Sequence, residues 1–348
     1  MKKLKSGFLT LIGLPNAGKS SLLNKIIGTR LAIVSPKAQT TWSCLRGFLS
    51  RDDVRLAITD TPGLHEGSIA LNNAIRKNAL MAVKLANSDK KTETSFERIA
   101  WVVDAKDFLA SLYDKTTKAY RWDQDTLERA IGKESIAATV FRNEGLKLPL
   151  TIRAVLVFNK IDLLRTGQLD ALKEHMPTVI QTAQSVFSDI KESFLVSTKA
   201  DDGQKSVDSF LNAIVETLPE TSLEEAQIFD EETLTDQPLR YFAGEYLREQ
   251  CYLQLGAELP YSVAVEIDEF REEPNLMRVH AVVHVERESQ KPIVLGRGGL
   301  KMKSMATEAR LRMEELFGCK VFLGVKVKVS PQWAREAHLV NRFGYQQK

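Results

Sequence analysis

Four short strings in the first 200 residues carry groups of the types that bind phosphate and a base. Gly13-Leu14-Pro15-Asn16-Ala17-Gly18-Lys19-Ser20 fits G-x-x-x-x-G-K-S. A loop of this kind turns its backbone N–H groups onto phosphate oxygens, and the helix after it adds the positive end of its dipole. Gly13, Asn16, Ala17, Gly18, Lys19, Ser20 and Ser21 are therefore expected around the phosphates. The Lys19 ammonium is expected to reach the β- and γ-phosphates, and the Ser20 hydroxyl to ligate Mg²⁺. Asp60-Thr61-Pro62-Gly63 begins 40 residues after Ser20. An Asp at the end of an apolar strand facing such a loop can hold Mg²⁺ through water, and the Gly63 N–H can bond a γ-phosphate.

Asn159-Lys160-Ile161-Asp162 points to the base. A carboxylate at Asp162 can accept from guanine N1–H and from the exocyclic amine. Adenine offers neither donor in that arrangement, so the string favours GTP over ATP. Asn159 is expected to hold the loop, and the Lys160 stem to cover the ring. Ser197-Thr198-Lys199 follows another apolar stretch and is expected to back the base with a main-chain N–H.

These strings need a scaffold of strands that end at one edge. Residues 7–12, 54–59, 99–104, 152–158 and 194–197 read as apolar strands. Helical stretches at 20–27, 168–174 onward and 207–217 alternate with them. Strands alternating with helices predict an α/β domain with a mostly parallel sheet covered on both faces. Leu218-Pro219 closes the pattern. The acidic residues 220–237 read as a linker. A helix over 239–255, strands over 262–269 and 276–286, helices over 291–295 and 300–317, and a strand over 321–329 then predict a separate α+β domain. The expected organisation is thus 1–219, a linker at 220–237, and 238–348.

The charge is segregated along this order. Residues 219–279 hold 15 Asp and Glu against 4 Lys and Arg, a net of −11. Residues 280–348 hold 13 basic against 6 acidic side chains, a net of +7. A basic C-terminal block suits a polyanion. Inside it Gly296-Arg297-Gly298-Gly299 lies between two predicted helices. A G-x-x-G turn there lets the backbone approach a sugar-phosphate chain, as in a KH domain. Arg297, Lys301 and Lys303 supply cations beside the turn. The Cys residues are Cys44, Cys251 and Cys319, with no CxxC, which excludes a disulfide framework and suits a reducing compartment. The apolar residues 7–14 after Lys2, Lys3 and Lys5 are expected to be a strand leading into the phosphate loop rather than a signal peptide.

The order of these motifs is that of the translation-factor class of GTPases, which residues 6–217 resemble. Lys37-Ala38-Gln39-Thr40-Thr41 resembles the switch I string of the Era GTPase family. The strings at 256–263, 285–291 and 333–345 resemble it too, so the resemblance spans both domains in the same order. It fails mainly at 86–150, where insertions, helical at 123–131, are expected on the edge of the sheet.

The resemblance implies a P-loop GTPase domain followed by a type II KH domain. It also implies GTP or GDP with Mg²⁺ as ligands and slow GTP hydrolysis. Thr40 or Thr41 would meet Mg²⁺ and the γ-phosphate. Thr41 is favoured, because the family places an Arg directly after that Thr, although Trp42 stands there in this chain. Ser20, Thr41 and Asp60 form the implied metal set, and Lys19, Asn16, Thr41 and Gly63 the catalytic one. Leu64 occupies the slot of a water-orienting Gln and cannot replace it; His65 and Glu66 are close in sequence. In related GTPases the Asn equivalent to Asn16 helps hold K⁺. The implied partners are the 3′ end of 16S rRNA and the small (30S) ribosomal subunit, whose maturation the protein would assist. A monomer in the cytoplasm with peripheral membrane association completes that expectation. The rival is an RNA-binding assembly factor with a weak or vestigial nucleotide site. A tRNA-modifying GTPase is disfavoured, since residues 344–348 hold no reactive Cys.

Overall fold

The computed structural model describes residues 4–35, 37, 40–51, 53–63, 69–86, 97–134, 147–199, 203–221, 230–256 and 259–345. These form two compact units. One takes residues 1–32, 44–65 and 76–236; the other takes 33–43, 66–75 and 237–348.

The first unit is built on β1 (Leu4–Ile12), α1 (Lys19–Ile27), β2 (Leu45–Arg51) and β3 (Val54–Asp60). After α2 (Ala70–Ala86), whose residues 70–75 group with the other unit, come β4 (Glu97–Asp104), α3 (Ala105–Leu112), the short hairpin β5 (Tyr113–Asp114) and β6 (Ala119–Tyr120), and α4 (Gln124–Glu134). It continues with β7 (Leu150–Asn159), α5 (Thr166–Ala183), β8 (Phe187–Leu195), α6 (Gly203–Glu216) and β9 (Glu220–Thr221). The main sheet runs β2-β3-β1-β4-β7-β8, with β9 pairing antiparallel to β1. Strands β3, β1, β4, β7 and β8 are parallel. Interior parallel strands are covered on both faces and so read as continuous apolar runs. Ile99, Ala100, Trp101, Val102 and Val103 of β4 are all fully buried. The antiparallel β2 was not expected, because Arg46, Gly47, Ser50 and Arg51 interrupt its apolar run.

The expectation that the insertions lie on the sheet edge is corrected. Phe108, Leu109 and Leu112 of α3 and Leu127, Ala130 and Ile131 of α4 enter one core with Trp101, Phe158 and Phe187. Phe108 and Phe158 have ring centroids 5.1 Å apart. Strands β4 and β7 are interior, so burying these faces there removes more apolar surface from water than an edge position offers. The polar loop at 90–94 lies outside the described residues.

The second unit contains α7 (Leu239–Gln254), β10 (Ala264–Glu273), β11 (Leu276–Val285), α8 (Lys291–Leu295), α9 (Leu300–Phe317), β12 (Lys320–Val329) and α10 (Ala337–Arg342). The sheet order is β10-β11-β12, antiparallel then parallel. Met277, Val279, Ala281, Val283 and Val285 alternate along β11 and are buried. Met302, Met305, Ala309 and Met313 give α9 a buried stripe, and α9 packs on α7 and β12. This is the helix-strand-strand-helix-helix-strand order read from the sequence.

Segments 33–43 and 66–75 supply part of this unit's core. Trp42, 2% exposed, packs with Leu71, Ala74, Ile75, Tyr252, Trp333, Phe343 and Tyr345. Its ring lies edge-on to Tyr345 at 4.6 Å, and the buried Arg248 guanidinium covers it at 4.4 Å. Arg248 is paired with Glu245 and donates to the Thr40 carbonyl at 2.6 Å. The Lys37 ammonium donates to the Tyr252 and Leu255 carbonyls, and the Val34 N–H donates to Glu249 at 3.0 Å. A fragment 239–345 therefore lacks Trp42, Leu71, Ala74 and Ile75. Its β11 amides are expected to exchange with solvent faster than those of the whole chain. Equal protection would show that the two segments add nothing to this core.

Candidate nucleotide and RNA sites

The phosphate loop is shaped by backbone that tolerates few side chains. Gly13 sits at φ +146°, and a Cβ there would fall 2.1 Å from the Val102 carbonyl oxygen. Gly18 sits at φ +92° and caps α1; a Cβ there would meet Asn159 Nδ2 at 2.1 Å. Asn16, at φ 65°, is in the left-handed region that Asn adopts more readily than most residues. Ala17 is buried, its N–H donating to the Leu14 carbonyl at 3.3 Å, and Ser21 is half-buried in the first turn of α1.

Lys19 is 5% exposed, and its Nζ donates to the Gly13 and Leu14 carbonyls at 3.0 and 2.9 Å. Burial pulls its pKa down to about 8, while Asp60 and then Glu134 oppose that shift. Among the described residues this ammonium is held by carbonyls alone, and it is well placed to gain from an anion in the loop.

The Ser20 hydroxyl donates to Asp60 Oδ2 at 2.6 Å. These two oxygens fit a magnesium ion: both are hard donors, they converge from α1 and the end of β3, and phosphate and water oxygens can complete the shell. Among the described residues no cluster of three His, Cys, Asp or Glu could hold a metal alone. The Thr61 hydroxyl ties the strand end to the Leu11 carbonyl at 2.7 Å, and Pro62 is buried. A Cβ on Gly63 would stand 2.6 Å from Pro15 N and Cα, so this glycine brings its backbone against the phosphate loop.

Asn159 Nδ2 donates to the Ala17 carbonyl at 2.9 Å, and its Oδ1 accepts from Lys160 N–H at 2.8 Å. Lys160, at φ 62°, reaches Asp104 Oδ2 at 2.6 Å. The exposed Asp162 accepts from the Ser197 hydroxyl at 2.6 Å, and the Ser197 N–H donates to Ser206 Oγ at 3.1 Å. Lys199 N–H approaches Ser197 Oγ at 3.3 Å, with the half-buried Thr198 between them. The structure thus gathers the strings at 13–21, 60–63, 159–162 and 197–199 within one unit. Thr41 falls in segment 33–43, which groups with the other unit. Ala38, Gln39, Leu64, His65 and Glu66 lie outside the described residues.

Two residues of this region went unassigned in the sequence. Asp104 both pairs with Lys160 and caps α3, accepting from the Lys106 and Asp107 N–H groups at 3.0 and 3.2 Å. Asp-x-x-Asp at a strand end was the available signal. Glu134 closes α4 and is buried, and its Oε2 has no hydrogen-bond partner among the described residues. No local pattern marks it.

In the second unit, Gly296 (φ 72°), Gly298 (φ 58°) and Gly299 (φ 78°) form the turn between α8 and α9. A Cβ at Gly296 would meet Lys301 Cβ at 2.6 Å. Arg297 and Lys303 are exposed and Lys301 is half-buried, so three cations surround a turn whose backbone is open to a polyanion.

Residues 8–137 match a family described as a 50S ribosome-binding GTPase, and residues 258–334 match the KH domain. The chain is 35% identical to the GTPase Era of Stenotrophomonas maltophilia over 340 residues, covering 98% of this chain and 97% of that one. It is 33% identical to the GTPase Era of Leuconostoc citreum, covering 99% and 97%. A crystal structure of Era with MgGDPNP and nucleotides 1506–1542 of 16S ribosomal RNA superposes with a TM-score of 0.77 at 27% identity, covering 99% of this chain and all of that one. A variant Era of Aquifex aeolicus bound to GDP·AlF₄⁻ gives 0.75 at 27%, with the same coverage.

Burial, then Asp107 and Asp104, raise the Glu134 carboxyl to about 7, against a smaller opposing effect of Lys19. Below the ordinary pKa of 4.5 the group is neutral folded and unfolded alike. The stability of the neutral form is lost as pH rises from there through 7, because the folded state must then hold a buried carboxylate. Glu134→Gln is expected to raise the melting temperature at pH 8 and leave it unchanged at pH 4. An equal rise at both would show that ionisation plays no part.

Proposed function

The chain belongs to the Era family of GTPases, and from that premise we propose that it is a GTP-hydrolysing switch that binds the 3′ end of 16S ribosomal RNA and assists maturation of the small ribosomal subunit. The observation that carries the nucleotide half is the bond from Asn159 Nδ2 to the Ala17 carbonyl. It fastens the loop bearing Asp162 to the loop bearing Lys19, so one ligand with a base at one end and phosphates at the other can meet both. Asp162 reads guanine, and Ser197 holds that carboxylate in place. Lys160 lies along the base loop, anchored by Asp104. Lys19 and the loop N–H groups take the β- and γ-phosphates. Ser20 and Asp60 hold Mg²⁺, which neutralises phosphate charge when bound. Gly63 donates its N–H to the γ-phosphate.

The RNA half rests on the Gly296–Gly299 turn with Arg297, Lys301 and Lys303. The relative seen with 16S ribosomal RNA matches over the whole of this chain and supports that ligand. The same reading places the protein in the cytoplasm as a monomer, with peripheral attachment to the membrane. Among the described residues no helix is long and apolar enough to cross one.

Exchanging Asp162 for Asn replaces the acceptor for guanine's exocyclic amine with a donor suited to the xanthine O2. The Asp162→Asn variant is expected to lose GTP affinity and to gain affinity for xanthosine triphosphate in a filter-binding assay. A variant that keeps wild-type GTP affinity and ignores the xanthine nucleotide would remove Asp162 from the base site.

Hydrolysis is expected to be slow, since Leu64 stands in the slot of a water-orienting Gln, and a supplied cation in the finger position is worth about 10³–10⁵ in rate in GTPases of this mechanism. Asn16 is exposed at the turn of the phosphate loop and is assigned to hold K⁺ there. At constant ionic strength, replacing Na⁺ by K⁺ is expected to raise phosphate release, and Asn16→Ala to abolish the difference. Wild-type protein that hydrolyses GTP equally in both salts contradicts the assignment.

A further inference from the structure

The sheet of the second unit has a face that its helices do not cover. Met277, Val279, Ala281 and Val283 of β11 point to the buried side. Arg278, His280 and Val282 alternate with them and point to the other. Their parallel partners on β12 are Phe322, Gly324 and Lys326, with Lys328 beyond. The far end is closed by the C-terminal segment, where Phe343 lies 4.3 Å from the His284 ring and Arg342 pairs with Glu266. The rest is open.

What stands on the open part of β11 and β12 is a set of flat and cationic groups, with Glu269 and Glu273 of β10 beside them and Arg278 ion-paired to Glu273 at 3.0 Å. Phe322 is 44% exposed, on a strand that could have carried a polar residue there. The Arg278 guanidinium lies 5.2 Å from its ring, and the His280 imidazole 5.5 Å away at 56°. Gly324 makes that arrangement possible, since a Cβ there would sit 2.7 Å from His280 Nδ1. Lys326 and Lys328 are exposed, and among the described residues neither makes an ion pair.

We infer that this face is a second contact for single-stranded RNA, separate from the G-x-x-G turn. One unpaired base stacks on Phe322 beside Arg278 and His280, and Lys326 and Lys328 meet the phosphates that follow. The inference rests on the RNA reading above. Aromatic, imidazole and guanidinium planes side by side suit a base, because every base has a π-face. A protein partner would find two apolar side chains, Phe322 and the half-buried Val282, among charges. Strand β12 is the sheet edge, and α8, which leads into the turn, packs on it. An RNA strand leaving the turn therefore has this edge to cross.

The test uses the full chain and two labelled oligonucleotides from the 3′ end of 16S rRNA. One has about four nucleotides, as many as a G-x-x-G turn clamps; the other is several times longer. Phe322→Ala is expected to weaken the longer one about tenfold and leave the shorter unchanged. Phe322→Tyr keeps the ring and is expected to retain affinity, which separates stacking from misfolding. Lys326→Gln with Lys328→Gln is expected to lower the salt slope for the longer oligonucleotide by about 1.4, at about 0.7 per phosphate. Variants that bind both lengths as wild type does overturn the inference. A defect seen only on intact small subunits, never on bare RNA, assigns the face to a protein and overturns it too. Wild-type protein that binds neither oligonucleotide defeats the RNA reading itself, a result distinct from either.

Discussion

One hydrogen bond sets the dimensions of the nucleotide site: Asn159 Nδ2 to the Ala17 carbonyl, 2.9 Å long and buried. It joins the end of β7 to the loop after β1, across the β4 strand that pairs with both. Because the amide fills the space over Gly18, no side chain can stand there. Because Asn159 Oδ1 also takes the Lys160 N–H, the turn that presents Asp162 is fixed by the same side chain. Lys160 then anchors on Asp104 at the end of β4. Three neighbouring strand ends are thus tied into one edge, the position at which open α/β sheets bind ligands.

The same edge concentrates unbalanced charge. Lys19 is buried, its ammonium held among the described residues by two carbonyls, and its pKa is drawn down by that burial. Glu134 is buried near it with its pKa displaced upward, and Asp104 and Asp107 add to that displacement. Perturbed groups of both signs beside a glycine-rich loop are a pattern of functional sites rather than of packing. An anion in the loop relieves the lysine directly.

The nucleotide strings were legible because each is local. A phosphate loop needs only a strand, two glycines, a lysine and a helix in succession, and an eight-residue string shows them all. The base loop and the strand-end Asp are legible by position relative to apolar runs. The grouping of segments 33–43 and 66–75 with the C-terminal unit was not legible. It depends on Trp42 meeting Tyr252, Trp333 and Tyr345, residues more than 200 positions away, and on Arg248 covering its ring. No local spacing encodes that. The helices α3 and α4 were legible as an excess of chain but not as core, since their burial against β4 and β7 is a tertiary outcome. Likewise the alternation of β11 and β12 was read as strand, while the character of their open face emerged only once the register set Phe322 beside Arg278.

The account's central claim is that the tie between Asn159 and Ala17 makes one guanine-nucleotide site out of two loops. Calorimetric titration of the full chain with GDP and with ADP, in Mg²⁺, tests it most directly when repeated on Asn159→Ala. The account predicts tight GDP binding, ADP weaker by about 10³-fold or more, as expected where buried polar groups would be left unpaired, and loss of most of that preference in the variant. Equal binding of GDP and ADP by the wild type, or an unchanged preference in Asn159→Ala, would contradict it.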